Sequence, residues 1–199
     1  SGMPGSESVV AEGPWAGSTL SELIGRFGAE LLGKANYARF GQEFPLLVKF
    51  IDAREDLSIQ VHPDDELARK RHGKSGKCEM WYVLEAEPGA SLLTGFSRPI
   101  APAEYERRVA DNTLTDVLNR QAIASGDVFY LPAGRVHSIG KGSFIVEIQQ
   151  SSDITYRIYD FDRRDAAGNS RELHTELARE AIDFESSENS RITYAPENN

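Results

Sequence analysis

Two spacings of apolar residues divide this chain. From Thr19, the apolar residues Leu20, Leu23, Ile24, Phe27 and Leu31 recur at helical intervals, with Thr19 and Glu22 placed as a capping box and Gly33 as a stop. The spacing predicts an amphipathic helix over 19–32. A second helical segment, over 64–73, opens on acidic residues suited to a helix N-terminus and closes at Gly73. A third is expected within 101–118, through Ala103 to Ala110, and a fourth over 172–182.

The other spacing is short and strand-like. Leu46 to Ile51, Leu57 to His62, Met80 to Glu85, Ser91 to Gly95, Asp127 to Leu131, Val136 to Ile139, Phe144 to Gln150 and Ile154 to Tyr159 are rich in Val, Ile, Phe and Tyr. Gly, Pro, Asp and Ser separate them, as turn residues separate strands. Many short strands with few helices between them predict a mainly β chain, an antiparallel sandwich or barrel and not a parallel doubly wound sheet. No glycine-rich phosphate loop or dinucleotide fingerprint interrupts the strands, which disfavours a nucleotide-binding enzyme.

Composition narrows the picture further. At 199 residues, 40% of them hydrophobic, the chain suffices for one well-buried core, and 1–199 reads as one domain. Acidic residues outnumber basic ones 31 to 22 and the basic ones are scattered, so no footprint for nucleic acid is visible. No run reaches the roughly 20 apolar residues that span a bilayer, and the N-terminus lacks the pattern of a signal peptide. A protein of the cytoplasm without a membrane partner is expected. The only cysteine, Cys78, excludes an internal disulfide and agrees with a reducing compartment. The start Ser1-Gly2-Met3-Pro4-Gly5 has no initiator at its first position, so the chain is either tagged or, the reading we favour, begins inside a longer protein.

The candidate chemistry lies on the strands. Gln60 and His62 are one residue apart in an alternating strand, so both project from one face while Ile59 and Val61 project from the other. Glu79 opens the next strand, and His137 follows the turn Pro132-Ala133-Gly134-Arg135. In one barrel these four side chains converge. Two imidazoles, a carboxylate and an amide oxygen suit zinc, with manganese, iron or cobalt as substitutes. Hydrogen-bonded structural histidines are the competing reading on spacing alone. Ser58 shares the face of Gln60 and His62 and is a candidate substrate contact.

Four segments then carry a resemblance. Asp56-Leu-Ser-Ile-Gln-Val-His-Pro-Asp-Asp65, Gly76-Lys-Cys-Glu-Met-Trp-Tyr82, Leu131-Pro-Ala-Gly-Arg-Val-His-Ser-Ile-Gly140 and Ser151-Ser-Asp-Ile-Thr-Tyr-Arg-Ile-Tyr-Asp160 resemble, in this order and spacing, the type I mannose-6-phosphate isomerase family in its short bacterial form. The resemblance runs from Gly5 to about Phe184. It implies a cupin-type antiparallel jelly-roll barrel with a few flanking α-helices, one zinc ion per chain on Gln60, His62, Glu79 and His137, and interconversion of mannose 6-phosphate and fructose 6-phosphate. It also implies that complete members extend beyond both ends of this chain.

The family's other site positions fall on Arg157, for charge stabilisation, on Glu147, for acid/base work or for orienting Arg157, and on Lys77, for polarising a substrate hydroxyl. Arg163 and Arg164, just beyond Arg157, are candidates for the phosphate through paired hydrogen bonds, and the choice between them stays open. So does the general base, among Glu147, a metal-bound water and a lysine. The expected partner is a sugar phosphate, and the expected state a monomer or weak homodimer. Trp15 reads as core or staple, and one of Trp81 and Tyr82 as core. His72 and His174 lack partners at ligand spacing, and Cys78 faces away from Glu79. The rival readings are a noncatalytic metal-containing cupin that binds a sugar or sugar phosphate, and an iron-dependent cupin oxygenase. Lys77, Glu147 and Arg157 together argue against the first, and Gln60 argues against the second.

Overall fold

The computed structural model describes residue 2, residues 6–185 and residues 189–194. Apart from Gly2, the start Ser1 to Gly5 therefore lies outside the described residues. Helix α1 (Leu20–Phe27) opens as its capping box requires: Thr19 Oγ1 accepts from the Glu22 amide at 3.1 Å, and Glu22 Oε2 accepts from the Thr19 amide at 2.8 Å. The helix expected over 19–32 is broken at Gly28, whose φ of 49° turns the chain before α2 (Ala29–Leu32). A Cβ there would meet the Tyr37 ring at 3.2 Å, so glycine serves both the turn and the packing. Helix α3 (Lys34–Phe40) was not expected, because KANYARF carries too few apolar residues to register a period. Trp15, expected in the core or as a staple, is 37% exposed and packs against α1, its ring edge-on to Phe27 and covered by the Arg26 guanidinium at 4.2 Å.

The rest of the chain runs β1 (Leu46–Ala53), β2 (Ile59–Val61), α4 (Asp65–His72), β3 (Glu79–Ala86), β4 (Ser91–Phe96), α5 (Pro102–Ala110), a 3₁₀ turn Leu114–Val117, β5 (Leu118–Ala122), β6 (Val128–Leu131), β7 (His137–Ile139), β8 (Ser143–Gln150), β9 (Tyr156–Tyr159), α6 (Thr175–Ala181) and β10 (Arg191–Ile192). Asp64 caps α4 by accepting from the Leu67 amide, and Gly73 ends it. The helix expected within 101–118 is α5 followed by the 3₁₀ turn, and the one expected over 172–182 is α6. Strand β5 escaped the pattern because LNRQA has only one residue that is fully buried.

Among the described residues the strands form two five-stranded sheets, β1-β8-β3-β6-β10 and β5-β4-β7-β2-β9, and every pairing is antiparallel. This is the expected mainly β jelly roll. Trp81, Val83, Phe129 and Ile145 of the first sheet pack with Leu92 and Ile139 of the second to fill the space between them. The far face of the second sheet, with Ile59, Val61, Tyr156 and Ile158, is covered by Ala68 of α4, Tyr105 of α5 and Ala178 of α6. Strand β2 is thus enclosed on both sides, and fully burying residues such as Ile59 and Val61 stabilises its position by about 1.5–3 kcal/mol each. The far face of the first sheet is more open: Val48, Phe50 and Tyr130 are 48%, 69% and 47% exposed.

Candidate metal centre

Register brings the site together. Across the second sheet, Gln60 of β2 lies opposite His137 of β7 on one side and Arg157 of β9 on the other. Directly paired residues share a face, so these three point into the barrel. Thr94 continues the row, paired with His137. From the first sheet, Glu79 begins β3 between Gln149 and Leu131, and one step along, Trp81 pairs with Glu147, which pairs in turn with Lys49 of β1. His62 follows β2 on the Gln60 face.

Two close backbone approaches set the positions of Lys77, Glu79 and His137. At Gly76 a Cβ would lie 2.4 Å from the carbonyl carbon of Asp64, so only glycine lets this segment cross the start of α4. There the Lys77 amide donates to the Pro63 carbonyl at 3.1 Å and the Gly76 amide to Asp65 Oδ1 at 2.8 Å. Lys77 and Glu79 are thereby held beside His62. The turn before His137 is tied to the same place, since the Gly134 amide donates to the His62 carbonyl at 2.9 Å.

Both imidazoles are oriented by backbone carbonyls. His62 Nδ1 lies 2.9 Å from the Ile154 oxygen and His137 Nδ1 lies 2.8 Å from the Arg135 oxygen. A carbonyl only accepts, so each Nδ1 carries the proton and each Nε2 presents a lone pair to the centre. Burial lowers the pKa of both rings, that of His62 to about 4, and keeps them neutral. Burial opposes charge on Glu79 as well, but the neighbouring His62, His137 and Lys77 hold its pKa well below the usual carboxylate range.

The Nε2 atoms of His62 and His137 stand 3.2 and 3.5 Å from the two oxygens of Glu79. His62, Glu79 and His137 offer ligand atoms all within 4.8 Å of one another, and all three residues are buried. Neither Glu79 oxygen accepts a hydrogen bond, although Lys77 Nζ lies 2.8 Å from Oε1 and 3.2 Å from His62 Nε2. A buried carboxylate facing two imidazole lone pairs is an arrangement that a cation stabilises, and Lys77 supplies one positive charge beside it. Gln60 completes the group: its Nε2 is 3.4 Å from His137 Nε2, and a half-turn of the amide presents Oε1 there instead. The donor set fits a divalent metal ion.

The remaining candidates differ in their surroundings. Glu147 is buried, with Oε2 accepting from Trp81 Nε1 at 3.1 Å and Oε1 2.8 Å from Lys49 Nζ. The Trp81 ring also stands edge-on to His137 at 5.4 Å, so this residue is both core and wall of the site. Arg157 donates from one terminal nitrogen to the Glu172 carbonyl at 3.0 Å, while its buried Nε has no partner. Ser58 is buried just before β2. Arg163 has all three nitrogens engaged, on Asp160 and on the Asp56 carbonyl. Arg164 is exposed and donates to the Gly168 carbonyl at 2.9 Å. His72 bonds the Tyr156 hydroxyl at 2.8 Å and His174 accepts from the Arg157 amide, so both have structural partners.

Lys49 is the site residue that sequence reasoning missed. Alternation in β1 puts it on the inner face between Leu47 and Ile51, and a lysine at an inward position of an apolar strand was the available signal.

A two-sheet antiparallel barrel that turns two imidazoles and a carboxylate inward, close enough to hold a metal ion, has the architecture of the cupin class. Residues 2–96 match the family model for the catalytic domain of type I phosphomannose isomerase. The mannose-6-phosphate isomerase ManA of Bacillus subtilis is 41% identical over 181 residues, which cover 90% of this chain and 56% of that protein. The mannose-6-phosphate isomerase of Streptococcus mutans is 41% identical over 182 residues, 92% of this chain and 56% of its own length. In three dimensions the chain superimposes on the crystal structure of the mannose 6-phosphate isomerase from Bacillus subtilis with a TM-score of 0.81 at 38% identity, covering 90% of this chain and 56% of that one. Over about nine-tenths of its length the chain is similar to the type I phosphomannose isomerases. It spans 56% of the length of these relatives.

Proposed function

We propose that this chain is the metal-holding core of a cytoplasmic aldose–ketose isomerase that interconverts mannose 6-phosphate and fructose 6-phosphate, using one zinc ion on Gln60, His62, Glu79 and His137. The observation that carries this reading is the buried meeting of Glu79 with the two Nε2 lone pairs, with Lys77 beside them and Glu147 and Arg157 on the same inner surface. Zinc in that position supplies Lewis acidity toward a sugar oxygen.

The chain's own residues supply the rest. Isomerisation breaks the C2–H bond of the aldose, moves its electron pair into a C1–C2 double bond, and leaves negative charge on the former carbonyl oxygen. Transfer of the O2 proton to O1 and reprotonation at C1 then give the ketose. Glu147 takes up and returns the carbon-bound proton, with Lys49 on one carboxylate oxygen and Trp81 on the other fixing its direction. Arg157, through its uncommitted Nε, stabilises the charge on oxygen. Lys77 polarises a substrate hydroxyl, and Ser58 contacts the sugar. Arg164 suits the phosphate better than Arg163, whose nitrogens are all engaged within the protein.

Isomerisation of mannose 6-phosphate by the purified chain, measured with its metal content before chelation, after it and after zinc is restored, tests the proposal. Activity that disappears and returns with zinc supports it. One bound metal per chain without turnover would turn the reading to a noncatalytic cupin.

A further inference from the structure

Beyond β9 the chain leaves the sheet and returns. It makes a tight turn through Phe161 and Asp162, with φ of 55° and 54°, then a small hairpin closed by the bridge between Arg164 and Ser170, and comes back alongside β9 at Glu172 and His174. Positive φ at a phenylalanine is strained and persists only where its surroundings hold it. The holding group is Asp160. Its buried carboxylate receives Arg163 from one end of the excursion and Arg171 from the other, the latter with Nε at 2.7 Å from Oδ2.

The returning segment grips Arg157. The Glu172 carbonyl accepts from the Arg157 guanidinium at 3.0 Å, the His174 amide donates to the Arg157 carbonyl at 2.7 Å, and the Arg157 amide donates to His174 Nδ1 at 3.3 Å. The residue before Glu172 is Arg171, the one Asp160 holds. From its other side Asp160 reaches the second wall of the site, since Arg163 also donates to the carbonyl of Asp56, two residues before Ser58.

We propose that Asp160 is a positioning residue that aims Arg157 into the barrel, acting through Arg171 and the 171–174 strap. Arg157 needs such a device. Its Nε is buried without a partner, the cations Arg171 and Arg163 repel it while Asp160 attracts it, and its contact with the Glu172 carbonyl fixes one terminal nitrogen. The catalytic part of this inference rests on the isomerase reading, and the orientation of Arg157 does not.

Two measurements on the whole chain keep these apart. Exchange of the Arg157 Nε proton with water, followed by NMR and assigned by its loss in Arg157→Lys, requires no turnover. Asp160→Asn and Arg171→Gln should each accelerate it by about tenfold or more once the strap is released. Unchanged exchange in folded Asp160→Asn and Arg171→Gln overturns the proposal. Should Asp160→Asn fail to fold, Arg171→Gln alone decides, because that side chain is 53% exposed. In the kinetic arm, Arg171→Gln should lower kcat about tenfold in the native background and add nothing in Arg157→Ala. Additive losses would show a role that does not pass through Arg157 and overturn the proposal. If the native chain does not turn over mannose 6-phosphate, the isomerase reading fails and the exchange arm still decides the positioning role.

Discussion

Lys49 and Glu147 face each other across β1 and β8, with Nζ 2.8 Å from Oε1, and only Lys49 reaches toward solvent. Glu147→Gln keeps the shape and the Trp81 contact but removes the base. It should lower kcat by about 10²–10⁴-fold, the usual worth of a positioned acid or base, and flatten the limb of the pH–rate profile that belongs to it. A profile and rate like those of the native chain would remove Glu147 from the mechanism. Lys49→Ala should also slow turnover and lower stability by about 1–3 kcal/mol, because it leaves the buried Glu147 carboxylate without its cation.

Metal binding is read directly by elemental analysis. Glu79→Gln and His62→Ala should each lose the bound ion, while Ser58→Ala should keep it. Chelation should lower the unfolding temperature of the native chain and leave that of Glu79→Gln unchanged, because a ligand stabilises only the form that binds it. Equal shifts in both proteins would show that the ion sits elsewhere.

Acid should destabilise the metal-free chain over a defined range. His62 is held at about 4 in the fold, below the ordinary 6.5. Below pH 6.5 the unfolded chain therefore binds a proton that the folded chain refuses, and stability falls by about 1.4 kcal/mol per pH unit from this residue until the pH nears 4. His137 adds a loss of the same sign. Urea unfolding of the chelated protein at pH 7.5 and pH 5 should differ by about 2 kcal/mol or more, and the difference should shrink in His62→Ala. No difference would mean that the ring is charged in the fold.

Gly76→Ala tests the crossing that brings Lys77 and Glu79 to His62. With backbone 2.4 Å from the new methyl, no side chain can yield, and the segment must shift. A loss of about 1–3 kcal/mol is expected by chemical denaturation, with weakened metal binding. Native stability and native affinity together would show that the crossing is looser than described.

The amino-acid sequence determined most of the elements and half of the geometry. Short runs rich in Val, Ile, Phe and Tyr between turn residues marked most of the strands, and the capping box placed the start of α1 because the contacts involved are three residues apart. Gln60 and His62 could be assigned to one face for the same local reason. The order of the motifs also carried the resemblance to the family, which the 41% identity bears out. What remained hidden depends on contacts far apart in the chain. Helix α1 stops at Gly28 and not Gly33 because the Tyr37 ring fills the space beside Gly28, and nothing in the period reports that. The meeting of Glu79 with His137 across 58 positions was expected from the resemblance, whereas only the barrel decided that Lys49 pairs with Glu147 and that Asp160 gathers Arg163 and Arg171. Local spacing says which way a side chain points, whereas a site needs several strands brought into register, and that register comes from packing the two sheets and their helices together.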